Sequence, residues 1–227
     1  MDEWISPKEL VDIFSARKRV QLVARDADHT NSRPVVETVK KEFPQTVSTF
    51  STVQVDYESD ESLEKAVSEL SNKFGRLDVL INNGGASFDL DILQGKMSTR
   101  DGFNAAWNIN VTGTHILTTL AVPLLLKSSN PRLIFIASGT SSLTETQIYS
   151  GTNHARINTP LPAGWPKSIM GVATTSYRSS KAGLNMLMRE WRRILYNDGV
   201  KVWAVSPGFL ATGLGGLGAD KLKEVSA

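Results

Sequence analysis

The chain contains no cysteine. That absence excludes a disulfide framework, a thiol nucleophile and a Cys-ligated metal centre together. Histidine is nearly as scarce, and the scatter of His29, His115 and His154 argues against a histidine-built metal site. No glycine occurs before Gly75, where ordinary usage of about 7% would place roughly five. A backbone loop that wraps a pyrophosphate needs glycines, so that stretch encodes no such loop. Neither sign of charge dominates: 25 Lys and Arg against 23 Asp and Glu leave a net charge of +2. A nucleic-acid partner therefore has no electrostatic support. No apolar run is long enough to cross a bilayer, and the start MDEWISPKELVDIF lacks a basic region followed by an apolar one. The expectation is a cytoplasmic protein with no membrane association.

What is present fits a globular α/β protein, with 41% hydrophobic and 21% charged residues over 227 positions. Short β-branched runs alternate with helix-period stretches, as in βαβ units around a parallel sheet. The runs Val20–Ala24, Thr52–Val55, Leu77–Ile81, Leu133–Ala137 and Val200–Val205 read as strands. Ser6–Ala16, Pro34–Phe43, Ser62–Phe74, Phe103–Leu126 and Thr175–Tyr196 read as helices, with Pro123 placed to kink the fourth or begin a new turn. Residues 141–174 carry Pro160, Pro162 and Pro166 among several glycines and read as a long loop. Without repeats or low-complexity tracts, the chain reads as one domain over 1–227. Leu184, Leu187, Met188, Trp191 and Leu195 make an apolar stripe that suits either an oligomer face or the core.

The sharpest constellation is Tyr177-Arg178-Ser179-Ser180-Lys181 on the last helix. Residues four apart share a helix face, so the Tyr177 phenol and the Lys181 ammonium converge. A phenol titrates near pH 10 and carries protons poorly at neutral pH, but a neighbouring cation stabilises its phenolate. Taken alone, the pair more often describes a surface tyrosine lying on a lysine stem. Its surroundings add weight. Asn82-Asn83-Gly84-Gly85 follows a strand, where parallel sheets present ligands, while Ser138 ends the next strand and Pro207-Gly208 follows the last. Turn, helix-face and strand-end readings exist for each of these, but not readily for all of them in this order.

On these residues the chain resembles the short-chain dehydrogenase/reductase family from Val20 to about Gly216. DVLINNGGA resembles the family's N-N-A-G segment with Gly84 in place of alanine, and WNINVTG, IASG, YRSSK and SPGFLAT match its other motifs. YRSSKAGLNMLMREW and KVWAVSPGFLAT look most like fungal-type, carbonyl-reductase-like members. The resemblance implies a Rossmann-like, doubly wound parallel sheet in three αβα layers. It implies NADP-dependent hydride transfer on a small carbonyl or alcohol substrate, and a homodimer or homotetramer. Tyr177 would be the general acid and base, Ser138 would bind the same oxygen, Lys181 would lower the Tyr177 pKa and bind ribose, and Asn110 would hold a relay water. Cofactor contacts would come from Asn83, Gly85, Tyr177 and Lys181, from Pro207, Gly208, Leu210 and Thr212 on the nicotinamide, and from Asp56 and Tyr57 at the adenine. Arg25, ending the first readable strand, suits a 2′-phosphate and so favours NADP over NAD, although Asp26 follows it. Asp56 equally reads as a cap of the helix that follows.

The chain departs from that pattern at both ends. The family's first strand and glycine-rich loop have no counterpart before Val20, and ADKLKEVSA after Gly218 is too short for the final helix and strand. The expectation is a sheet truncated at both ends, with 141–174 inserted between Ser138 and Tyr177 as a lid. Two alternatives follow: an acid/base enzyme (isomerase, lyase or cyclase) that works without a dinucleotide, or a non-catalytic truncated protein.

Overall fold

A computed structural model describes residues 19–24, 37, 41, 44, 49–151, 155–167, 174–208 and 214. Two parallel sheets organise them. Strands β1 (Arg19–Ala24) and β2 (Thr49–Gln54) pair from Arg19 opposite Thr49 to Ala24 opposite Gln54. Strands β3 (Val79–Asn82), β4 (Arg132–Ile136) and β5 (Lys201–Val205) form the other sheet in that spatial order. Parallel neighbours need crossover connections, and helices supply them. The architecture is the α/β fold the sequence predicts.

Helix α1 (Asp60–Phe74) joins the sheets. The Ser59 hydroxyl caps it by accepting from the Ser62 amide at 3.2 Å. Gly75 ends it at φ 67°, donating its N–H to the Ser71 carbonyl at 2.8 Å; this left-handed turn is where glycine costs least. After β3 come α2 (Asp89–Leu93) and α3 (Thr99–Trp107), and α3 runs through a π-helical turn (Asn108–Gly113) into α4 (Thr114–Leu125). Helix α4 contains Pro123 and ends two residues later. A short α5 (Ala155–Asn158) interrupts the long loop, and α6 (Thr175–Ile194) leads to β5.

The core follows strand alternation. Val53 and Val55 pack against Leu63, Ala66 and Val67 of α1 and Leu117, Ala121 and Leu124 of α4. Leu133 and Phe135 pack with Leu125, Leu184, Trp191 and Val202. Leu80 touches both groups, so apolar packing is continuous where, among the described residues, the two sheets share no ladder. Ile134, the residue between Leu133 and Phe135, turns to the other face with Val205 and Ile81.

All five strands and three long helices lie close to where the periodicity places them. Of the helix expected over Pro34–Phe43 only Glu37 and Lys41 are described, both helical; the one expected over Ser6–Ala16 lies outside the described residues. The stripe on α6 is core: Leu184, Trp191 and Leu195 are buried. The exposed apolar side chains of α3 and α6 are instead Phe103, Trp107, Met186 and Ile194.

Candidate active site

The carboxyl ends of β3, β4 and β5 face one another across a small polar cluster. Ser138 follows β4 and begins a 3-10 turn, its hydroxyl 2.8 Å from the Thr140 hydroxyl. Ser206, just past β5, holds this turn in place by accepting from the Gly139 amide at 2.7 Å. Tyr177, in the first turn of α6, hydrogen-bonds Ser138 through its side chain. Burial pushes the Tyr177 phenol above its ordinary range, and the Ser138 bond opposes that shift.

Lys181 lies one helical turn further on, with Nζ 5.8 Å from the Tyr177 ring centroid. It is buried and donates to the Ile136 carbonyl at 2.9 Å, a bond that fixes the ammonium at the end of β4. Burial lowers its pKa to about 8.

Asn110 sits in the π-helical turn, a distortion common at functional positions. It is fully buried, and its amide is well used. Oδ1 accepts from the Ala86 amide at 2.8 Å, while Nδ2 donates to the Ala86 carbonyl at 2.9 Å and to the Ser180 hydroxyl at 2.8 Å. Asn110 thus ties the loop after β3 to the helix that carries Tyr177 and Lys181.

That loop presents Asn83 and Gly85 at the surface. A Cβ on Gly85 would lie 3.1 Å from Lys181 Nζ and 3.0 Å from Asn110 Oδ1, so glycine keeps the space before the ammonium open. Pro207 and Gly208 are exposed beyond β5. An ammonium, a phenol and the neighbouring glycine backbone form a donor set that fits a nicotinamide ribose. Arg25, Leu210 and Thr212 lie outside the described residues.

Tyr57 packs behind the loop after β3. A Cβ on Gly84 would come within 2.5 Å of Tyr57 Cε2, and one on Gly113 would strike the Tyr57 carbonyl. Tyr57 is wedged between the loop after β3 and the π-helical turn, and it hydrogen-bonds the Gly84 backbone. Burial pushes its phenol up to about 12. Asp56 Oδ1 accepts from the Glu58 amide at 3.0 Å, but the cap of α1 is Ser59.

Two groups at this site carry no sequence signal of their own. Arg178 donates from Nε to the Thr140 carbonyl at 2.8 Å and from its terminal nitrogens to the Ile157 carbonyl at 3.1 Å and Asn158 Oδ1 at 2.6 Å. It binds the Ser138 turn to α5 in the long loop, where Trp165 is 86% exposed. Asp89, buried in α2, accepts from the Ser176 amide at 2.8 Å and the Tyr177 amide at 2.9 Å. The Thr174 side chain at the start of α6 makes no capping bond. His154 lies outside the described residues, and among those described no cluster of His, Asp and Glu could hold a metal ion. Among them, too, no helix is long and apolar enough to cross a membrane.

The model of the short chain dehydrogenase family matches residues 16–158 and 168–221. The short-chain dehydrogenase/reductase eupG of Phoma sp is 45% identical over 188 residues, covering 82% of this chain and 66% of the relative. The short-chain dehydrogenase/reductase tropE of Talaromyces stipitatus is 44% identical over 181 residues, covering 79% of this chain and 64% of the relative. The chain thus spans just under two thirds of these relatives' own lengths. Among solved structures, the NADPH-bound carbonyl reductase from chicken fatty liver superposes with a TM-score of 0.68 at 21% identity, covering 92% of this chain and 73% of that one. A likeness at that identity speaks for the Rossmann-like fold.

Proposed function

The chain belongs to the short-chain dehydrogenase family, and from that premise we propose an oxidoreductase that moves a hydride between NADP(H) and a small carbonyl or alcohol substrate. The observation that carries this reading is the meeting of Tyr177, Ser138 and Lys181 at the end of β4. A bound nicotinamide supplies or accepts the hydride. Tyr177 gives its proton to the carbonyl oxygen as negative charge gathers there, and recovers it in the reverse direction. Ser138 donates to the same oxygen. The Lys181 ammonium stabilises the phenolate that remains, and Asn110 holds the loop after β3 and the water of the proton relay. Burial keeps Tyr177 protonated at neutral pH, the state that reduction needs.

Asn83, Gly85, Lys181, Pro207, Gly208, Leu210 and Thr212 hold the nicotinamide side in this reading, Asp56 and Tyr57 the adenine side. Arg25 takes the 2′-phosphate, which favours NADP over NAD. The 141–174 stretch serves as a substrate lid, supported by the Arg178 bonds to the Ser138 turn and to α5. Phe103, Trp107 and Met186 on α3 and α6 support self-association as a homodimer or homotetramer, and the assigned compartment is the cytoplasm.

The second reading is acid/base chemistry without a dinucleotide at Tyr177 and Lys181, which lie together at the end of β4. Titrating the purified chain with NADPH, and with NADH in parallel, separates the two. Micromolar binding, about −8 kcal/mol, with Tyr177-dependent turnover of a carbonyl panel supports the oxidoreductase. No binding by a cooperatively folded protein overturns it.

A further inference from the structure

We propose that Asp89 is a positioning residue for Tyr177: from α2 its carboxylate supplies the N-terminal cap that α6 lacks locally, and so holds the turn that carries the phenol. Thr174 occupies the cap position, but its side chain makes no capping bond. The first turn of a helix leaves N–H groups without partners, and a local cap normally satisfies those two and three residues on. Here these are the Ser176 and Tyr177 amides, and Asp89 takes both, one on each carboxylate oxygen, at 2.8 and 2.9 Å. The carboxylate is 4% exposed and is itself steadied by the Ser87 hydroxyl at 3.3 Å.

Tyr177 is thus gripped at two points, by Asp89 at its backbone and by Ser138 at its phenol. Lys181 is anchored separately, by the Ile136 carbonyl. Removing the Asp89 carboxylate strands two N–H groups and frays the turn under Tyr177, while the lysine and the loop after β3 keep their own supports. The expected consequence is a selective loss of proton-transfer geometry, with cofactor and substrate binding kept. This selectivity rests on the oxidoreductase reading; the capping itself does not.

The test compares Asp89→Ala, Asp89→Asn and the double variant Asp89→Ala with Thr174→Asp, which puts a conventional cap at the helix start. In Asp89→Ala, amide exchange at Ser176 and Tyr177 accelerates at least about tenfold, and kcat falls about tenfold or more. KM and the NADPH dissociation constant stay within about twofold. Asp89→Asn, which keeps one acceptor, falls between, and Thr174→Asp restores most of both losses. In [ζ-13C]tyrosine-labelled protein the Tyr177 signal, assigned with Tyr177→Phe, broadens in Asp89→Ala and sharpens again with Thr174→Asp. Unchanged exchange and line width, unchanged kcat despite faster exchange, or binding lost in step with kcat each overturn the proposal. If the unsubstituted protein turns over nothing while exchange and line width respond as stated, the oxidoreductase reading fails and the positioning of Tyr177 stands.

Discussion

The two sheets reach the same polar cluster by different means. Strands β3, β4 and β5 share an unbroken ladder, and their ends deliver Ser138, the Ile136 carbonyl that anchors Lys181, and Ser206. Strands β1 and β2 pair with each other, and among the described residues no ladder joins them to β3. Their link to the rest is mostly packing, Val53 and Val55 on α4 and Tyr57 between Gly84 and Gly113, with single hydrogen bonds from Lys73 to Ser51 and between Tyr57 and the Gly84 backbone. Hydrogen-bonded geometry therefore sets the chemistry, and side-chain fit sets where the first two strands sit against it.

The largest expected effect tests the chemical side. Tyr177→Phe keeps the ring and removes the proton, so steady-state turnover should drop about 10²- to 10⁴-fold while the thermal midpoint stays near that of the parent. Comparable turnover in this variant would detach the ladder-built cluster from catalysis. Core truncation compares the sheets directly. Phe135→Ala in β4 should cost about 3–5 kcal/mol in denaturant unfolding, and Val53→Ala in β2 about 1.5 kcal/mol at roughly 0.8 per methylene. Separate unfolding transitions for the two variants would show that each sheet melts by itself; one shared transition would show that the packing couples them.

The join can be probed alone. Gly84→Ala drives a methyl into the Tyr57 ring and should cost about 1–3 kcal/mol. The same substitution beside Tyr57→Val should cost almost nothing, as a double-mutant cycle would reveal. The smallest effect is a change in the shape of a pH profile. Lys181 titrates at about 8, and in the proposed mechanism its ammonium stabilises the phenolate formed as Tyr177 gives up its proton. Reductive kcat should be level below that pH and fall above it, and Lys181→Arg should move the limb to higher pH because a guanidinium keeps its charge. Stability responds with the opposite sense. A buried cation whose pKa is lowered disfavours folding at low pH, so the Lys181 contribution grows as pH rises from about 8 towards the ordinary lysine value of 10.5.

The sequence makes the ladder side easy to read and the join hard. Leu133–Ala137 and Val200–Val205 are apolar runs with no competing pattern, and helical spacing puts Tyr177 and Lys181 on one face, with the motifs around them adding the weight the pair lacks alone. The Tyr57 wedge depends on a ring after one strand meeting two glycines that follow far later, which no local pattern encodes. Gly84 in place of the family's alanine is its one trace. Helix α2 is too short for its periodicity to register, and its partnership with α6 joins residues distant in sequence. The α6 stripe shows the converse limit: helical spacing identifies an apolar face without saying whether core or another molecule covers it.

Arg178 hangs part of the long loop from the helix that carries the proton donor, through the Ile157 carbonyl and Asn158. Asn158 in turn gathers the loop by donating to the Glu145 and Ile148 carbonyls. Most of these bonds fall on main-chain oxygens, which every amino acid offers. Apart from Asn158, whose amide makes three of the four bonds, the loop's side chains are accordingly free to vary under selection while its attachment persists. Under the proposed lid role, mutational drift there retunes which compounds are accepted while Tyr177, Ser138 and Lys181 keep their places.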